Sequence, residues 1–161
     1  MRYSIRPLSN EDEPFLWEML YQALYVPAGE PPFPPEIVRQ PELSRYVADW
    51  GRPDDVGFLA LLEETAEPVG AVWIRLLQGA DKGYGYVDDT TPELTIALQP
   101  TARGQGVGTQ LMLKMLAAAR EKYPALSLSV SVENPARHLY QRLGFETVGQ
   151  TGASLTMKLK L

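Results

Sequence analysis

The sequence predicts one α/β domain, a mixed central β-sheet flanked by helices. Three observations carry that expectation. The chain has 161 residues, enough for one domain with its own core. In its second half, strand-like and helix-like periodicities alternate, so a helix links two strands as parallel neighbours require. In its middle, two apolar runs flank a short polar turn, the pattern of an antiparallel hairpin. Parallel and antiparallel pairs in one sheet make it mixed.

Composition narrows the function. Hydrophobic residues make up 45% and charged residues 22%, as in ordinary globular proteins. There is no cysteine, which rules out disulfides, thiolate metal sites and a cysteine nucleophile. His138 is the single histidine, so a zinc site is not expected, and a serine–histidine triad would have to use it. Fifteen basic and 20 acidic residues give a net charge of −5. That balance lacks the basic footprint of a nucleic-acid or anionic-membrane binder. The start, Met1 to Arg6, has no apolar run behind its charges and does not read as a signal peptide. No stretch approaches the ~20 apolar residues of a membrane span. The expectation is a cytoplasmic protein with no metal, nucleic-acid or membrane partner.

The elements follow in order. Tyr3 to Arg6 reads as a short strand. Ser9 or Asn10 can cap a helix, and Glu11, Asp12 and Glu13 suit its positive end. Phe15, Leu16, Met19, Leu20, Ala23 and Leu24 then recur at helical spacing. Six prolines between Pro27 and Pro41 forbid a regular helix or central strand. This segment is expected to be a loop beside an active site, with a short helix around Leu43 to Trp50. Val56 to Leu62 and Val69 to Leu77 form the hairpin, and Gly79 to Tyr86, with three glycines, reads as a loop. Leu94, Ile96 and Leu98 alternate with Thr95 and Ala97, a strand with one buried face that Pro100 ends. Val107, Leu111, Met115 and Ala119 repeat every fourth residue, a helix of about four turns. Leu126, Leu128 and Val130 alternate with Ser127, Ser129 and Ser131 in the next strand. Asn134 caps a further helix, Pro135 suits its start and Gly144 its stop. Two antiparallel strands close the chain, with Lys158 and Lys160 expected to guard an edge.

The chemistry begins at Arg103-Gly104-Gln105-Gly106-Val107-Gly108-Thr109, between a strand and a helix. The first turn of a helix has unpaired N–H groups and partial positive charge. Glycines let an anion approach that backbone. A P-loop would need Lys-Ser or Lys-Thr after the last glycine, where Thr109 and Gln110 stand. The dinucleotide fingerprint lacks its third glycine. The remaining readings are a different phosphate ligand or a turn without ligand.

ELTIALQPTARGQGVGTQLM (93–112), followed by LSLSVSVENPARHLYQRLGFE (126–146), resembles the GNAT superfamily of N-acetyltransferases. Arg103, Gly106 and Gly108 match that superfamily's (Gln/Arg)-x-x-Gly-x-(Gly/Ala) loop. The resemblance implies one GNAT-like domain over residues 1–161, with a cofactor-binding core at 93–146 and strands splayed at the cofactor site. It implies acetyl-coenzyme A as co-substrate and a small primary amine as acceptor. The pyrophosphate would rest on the backbone of Arg103, Gly104, Gln105, Gly106, Val107, Gly108 and Thr109. The pantetheine arm would pair with the backbone of Ile96, Ala97 and Leu98. Tyr140 matches the superfamily's general acid. Asn134 would be a ligand contact or only a helix cap; its spacing to Tyr140, six residues, is one short of the usual seven. A glutamate base found in some relatives is replaced here by Ser129. A homodimer is the oligomer such folds favour.

Amine attack on a thioester needs a base for the ammonium proton and an acid for the thiolate. Glu93 shares a strand face with Thr95 and Ala97, which makes it the candidate base. Asp88, Asp89, Glu30 and Glu36 are expected to line the cleft and to favour a cationic or neutral amine over an acidic one. Two alternatives stand beside this reading: a non-catalytic acyl-coenzyme A sensor on the same fold, and a dinucleotide-binding oxidoreductase.

Overall fold

Seven segments of strand periodicity join in one sheet. The computed structural model, which describes residues 2–161, resolves them as β1 (Tyr3–Pro7), β2 (Val56–Leu62), β3 (Pro68–Arg75), β4 (Glu93–Leu98), β5 (Ala125–Ser131), β6 (Glu146–Thr151) and β7 (Ser154–Lys160). The order across the sheet is β1-β2-β3-β4-β5-β7-β6. Only β4 and β5 run parallel; every other pair of neighbours is antiparallel. The helices are α1 (Glu13–Ala23), α2 (Pro41–Ser44), α3 (Val107–Arg120) and α4 (Ala136–Arg142).

Strand alternation splits the core in two. Val72, Ile74, Leu94, Leu126 and Leu128 face α3, whose Leu111, Met112, Met115 and Leu116 are buried against them. Ala71, Trp73 and Ala97 face the other way, toward Leu16, Met19 and Leu20 of α1 and toward Val47 and Trp50. Each buried Leu or Met contributes roughly 2 kcal/mol of transfer free energy. β4 is therefore covered on both faces, not on one as its pattern predicts. A small residue such as Ala97 can lie under α1 without marking an exposed face.

Two further expectations change. The short helix comes earlier, at Pro41–Ser44, because proline at its first turn starts a helix readily; residues 45–49 continue as turns. Lys158 and Lys160 do not guard an edge, since β7 lies between β5 and β6 and the outer strand is β6. Every residue of β6 is exposed. Alternating lysines report a wet sheet face, and they cannot tell an edge strand from its neighbour.

The feature that positions the site is a break in pairing. β5 pairs with β7 along its whole length and β4 with β3 along its whole length, but β4 and β5 meet at one rung, Glu93 opposite Ser127. The Ser127 N–H donates to the Pro92 carbonyl at 3.0 Å. Beyond that rung the strands diverge.

Candidate active site

The divergence opens a cleft of about 820 Å³. Its walls come from β4 and β5, the end of α1 with the segment after it, the Tyr84 loop, and α4. Antiparallel pairing decides which backbone groups face it. The Gln99 N–H donates to the Val69 carbonyl at 2.7 Å, so by alternation Ala97 and Thr95 direct their amides to β3. The amides of Ile96 and Leu98 face the gap. Ala97, expected beside them, lines the cleft as well, but its backbone pairs with β3.

At the far end of β4 lies the glycine turn. Gly104 has φ +75° and Gly106, which caps α3, has φ +83°, in the left-handed region that side chains disfavour. No atom lies within 4 Å of where a Cβ would stand at either position. Open space over the first turn of a 14-residue helix fits an anion held by backbone amides. Val107 buries its side chain in the core, leaving only its backbone to contribute, while Thr109 is exposed. Gln105 accepts a hydrogen bond from the Tyr3 hydroxyl at 2.7 Å and donates to the Thr101 carbonyl at 3.0 Å. Arg103 borders the cleft and donates to Gln22 Oε1 at 3.2 Å, while Gly108 lines the same end.

Glu93 stands at the closed end, 5% exposed. Its Oε2 accepts from the Tyr46 hydroxyl at 2.5 Å and its Oε1 from the Gly85 N–H at 3.0 Å. The Tyr46 oxygen in turn accepts the Tyr84 N–H at 2.8 Å. Burial pushes the Glu93 carboxyl up to about 7, against the opposing pull of those two donors. Burial, and then the Glu93 charge, raise the Tyr46 hydroxyl, which stays protonated as a donor. The loop that does this must be glycine. A Cβ at Gly83 would stand 2.2 Å from Glu93 Oε1, and one at Gly85 would stand 2.7 Å from the Leu128 carbonyl carbon. Tyr46 and this loop are the site residues that periodicity could not find. The available signal was Gly83-Tyr84-Gly85 just before a buried acid.

Tyr140 is buried on α4, packs edge-on to Phe145 with centroids 6.1 Å apart, and lines the cleft. Burial alone pushes its hydroxyl up to about 12. Asn134 lines the cleft too, and its Oδ1 accepts the Ala136 N–H at 2.9 Å, so it does cap α4. Ser129, where some relatives have a base, shares a 2.7 Å hydrogen bond with Ser154. Ser127 is wholly buried at the rung and does not reach the cleft.

The acidic wall does not form. Asp88 accepts from the N–H and hydroxyl of Thr90, and Asp89 accepts from the Tyr86 hydroxyl at 2.6 Å. Neither borders the cleft, nor do the exposed Glu30 and Glu36. Nearness in sequence to β4 did not fix which way these side chains point. His138 is exposed on α4. Among the described residues no cluster of histidine, aspartate and glutamate is arranged for a metal ion.

The acetyltransferase (GNAT) family model matches residues 15–145. A PaiA N-acetyltransferase from Thermoplasma acidophilum, crystallised in complex with coenzyme A, superposes with TM-score 0.70 at 19% identity, covering 100% of each chain. A GCN5-related N-acetyltransferase from Kribbella flavida gives 0.67 at 22% identity over 99% of this chain and 98% of its own. An N-acetyltransferase from Staphylococcus aureus Mu50 gives 0.69 at 18% identity, covering 99% of each. No curated protein matches significantly in sequence. The family model spans most of the chain, including the glycine turn and Tyr140, and the protein belongs to the acetyltransferase (GNAT) family of acyltransferases.

Proposed function

We propose that the protein is an N-acetyltransferase that moves the acetyl group of acetyl-coenzyme A to a primary amine by direct attack. The observation that carries this reading is the cleft between β4 and β5. It has uncrowded glycine backbone at the turn before α3, strand amides along one wall, and a buried carboxylate and a tyrosine among its lining residues. The Thermoplasma acidophilum structure with coenzyme A supports the choice of co-substrate.

The backbone of Arg103 to Thr109 holds the pyrophosphate, with Arg103 as the nearby permanent cation. The gap-facing amides of Ile96 and Leu98 complete strand-like pairing with the pantetheine arm. An alkylamine has a pKa near ~10.4 and arrives mostly as ammonium at neutral pH. Glu93, titrating near 7, takes its proton directly or through water. The amine nitrogen then forms its bond to the acetyl carbon as the carbon–sulfur bond breaks. Tyr140, held fully protonated at neutral pH by burial, donates its proton to the departing sulfur. Solvent in the cleft afterwards reprotonates Tyr140 and relieves Glu93.

Calorimetric titration with acetyl-coenzyme A and with NAD, followed by mass spectrometry of an amine panel, tests this. Tight acetyl-coenzyme A binding with acetylated product is expected. Binding without any product would make the protein a sensor, and preference for NAD would refute the assignment.

A further inference from the structure

If the cleft takes acetyl-coenzyme A and an amine as proposed above, its lining constrains what the amine is attached to. We infer that the acceptor is a monoamine carried on an aromatic or otherwise apolar body, with no second charge.

Charge is the first ground. Among the described residues one carboxylate, Glu93, and one cation, Arg103, border the cleft. Glu93 is committed to the reacting amine and to its two donors. A diamine would bring a second ammonium with no second carboxylate to meet it. Arg103 lies at the glycine turn, bonded to Gln22, beyond the opposite end of β4 from Glu93. An amino acid or sugar phosphate would therefore place its anion where no other arginine and no lysine lines the wall among the described residues. Desolvating a charge without a partner is costly, so both classes are disfavoured.

Exposed rings are the second ground. Four large hydrophobic side chains are exposed among the described residues: Phe33, Tyr84, Leu113 and Val148. Two of them, Phe33 at 38% and Tyr84 at 60%, line this one cleft, along with Tyr21 and Tyr25. Apolar surface on a concave wall is what an apolar ligand covers. The rings stack or meet edge-to-face with an aromatic body, and their faces attract the ammonium in transit.

These walls are also held in place. The Tyr21 hydroxyl donates to the Phe33 carbonyl at 2.5 Å, tying the proline-rich segment to α1. The Tyr84 backbone is fixed by the Tyr46 oxygen, beside the base. Little ordering entropy remains to be lost when an acceptor binds.

The test measures kcat/KM with saturating acetyl-coenzyme A for 2-phenylethylamine, n-hexylamine, 1,4-diaminobutane and 4-aminobutanoate, after calorimetry has established co-substrate binding. 2-Phenylethylamine should exceed the diamine and the amino acid by at least about tenfold, with n-hexylamine between. Tyr84→Ala, which keeps the backbone N–H that Tyr46 needs, should raise KM for 2-phenylethylamine about tenfold and leave kcat nearly unchanged. Failure to bind acetyl-coenzyme A would overturn the enzyme assignment and this inference together. Binding with equal or better use of the diamine or the amino acid, or with no turnover of any of the four, would overturn the acceptor class alone. So would an unchanged KM in Tyr84→Ala.

Discussion

A carboxylate in the interior ionises only as far as other donors replace the water it has lost. At Glu93 those donors are the Tyr46 hydroxyl and the Gly85 amide, and together they leave it titrating near 7. The active form is the carboxylate, so the rate should rise with pH through about 7 and then level. Removing a donor to the charged form favours the protonated form, and the rising limb should move to higher pH. A hydrogen bond to a charged group contributes about 1.5–3 kcal/mol, or roughly one to two pH units. Tyr46→Phe is therefore expected to shift the limb up by about one unit and to keep most of the rate on the alkaline plateau. A pH–rate profile unchanged in position would mean that Tyr46 only packs. Tyr140→Phe differs in kind, because it keeps the ring against Phe145 and removes a proton. Turnover should fall ~10²–10⁴-fold at every pH while acetyl-coenzyme A affinity holds. Stopped-flow turnover with parallel calorimetry separates the two effects. That Tyr140 and Glu93 border the cleft was open to sequence reading, Tyr140 through the resemblance and Glu93 through the strand face it shares with Thr95 and Ala97. Tyr46 was not, since it follows a proline-rich run whose path over the sheet no periodicity describes.

Strand β4, the glycine turn and α3 act as one device: the strand presents amides sideways and the helix presents them end-on. The turn was legible because glycine spacing reports backbone conformation directly, and both Gly104 and Gly106 do have positive φ. Gly106→Val tests it. A β-branched residue at φ +83° is strained, and its methyl groups would fill the open space above the first helical turn. The dissociation constant for acetyl-coenzyme A should rise at least about a hundredfold. Circular dichroism should show the fold retained, since no protein atom lies within 4 Å of the added Cβ. Unchanged affinity in the folded variant would remove the turn from the ligand site. The splay itself was legible only through resemblance. Nothing in the alternation of residues 93–98 or 125–131 says that the two strands share a single rung. Long-range pairing decides that, as it decided that β7 is not an edge.

The two faces of the sheet carry separate cores, and the α1 face is completed by a segment with little regular structure of its own. That segment carries Tyr46, so something must fix it. Arg75, 1% exposed at the end of β3, does so. Its guanidinium grips Asp55 through two hydrogen bonds, at 3.0 and 2.9 Å. The same group donates to the carbonyls of Arg45 and Ala48 at 3.0 and 2.7 Å, on either side of Tyr46 in the chain. Arg75 sits inside an apolar run and serves there as a buried staple. Asp55→Ala would leave that guanidinium buried and unpaired, at a cost of about 3–5 kcal/mol. For a chain of this size the melting temperature should drop by roughly 10 °C. Replacing both partners by apolar residues, Asp55→Leu with Arg75→Met, removes the orphaned charge and should recover part of that loss. It cannot recover the two carbonyl contacts. The double variant should therefore stay folded yet show a lower kcat and a pH–rate limb displaced upward, in the direction expected for Tyr46→Phe, although neither residue borders the cleft. Melting curves and pH–rate profiles on both variants decide the matter. Recovery of stability with a wild-type profile would show that the staple serves the fold and leaves Glu93 untouched.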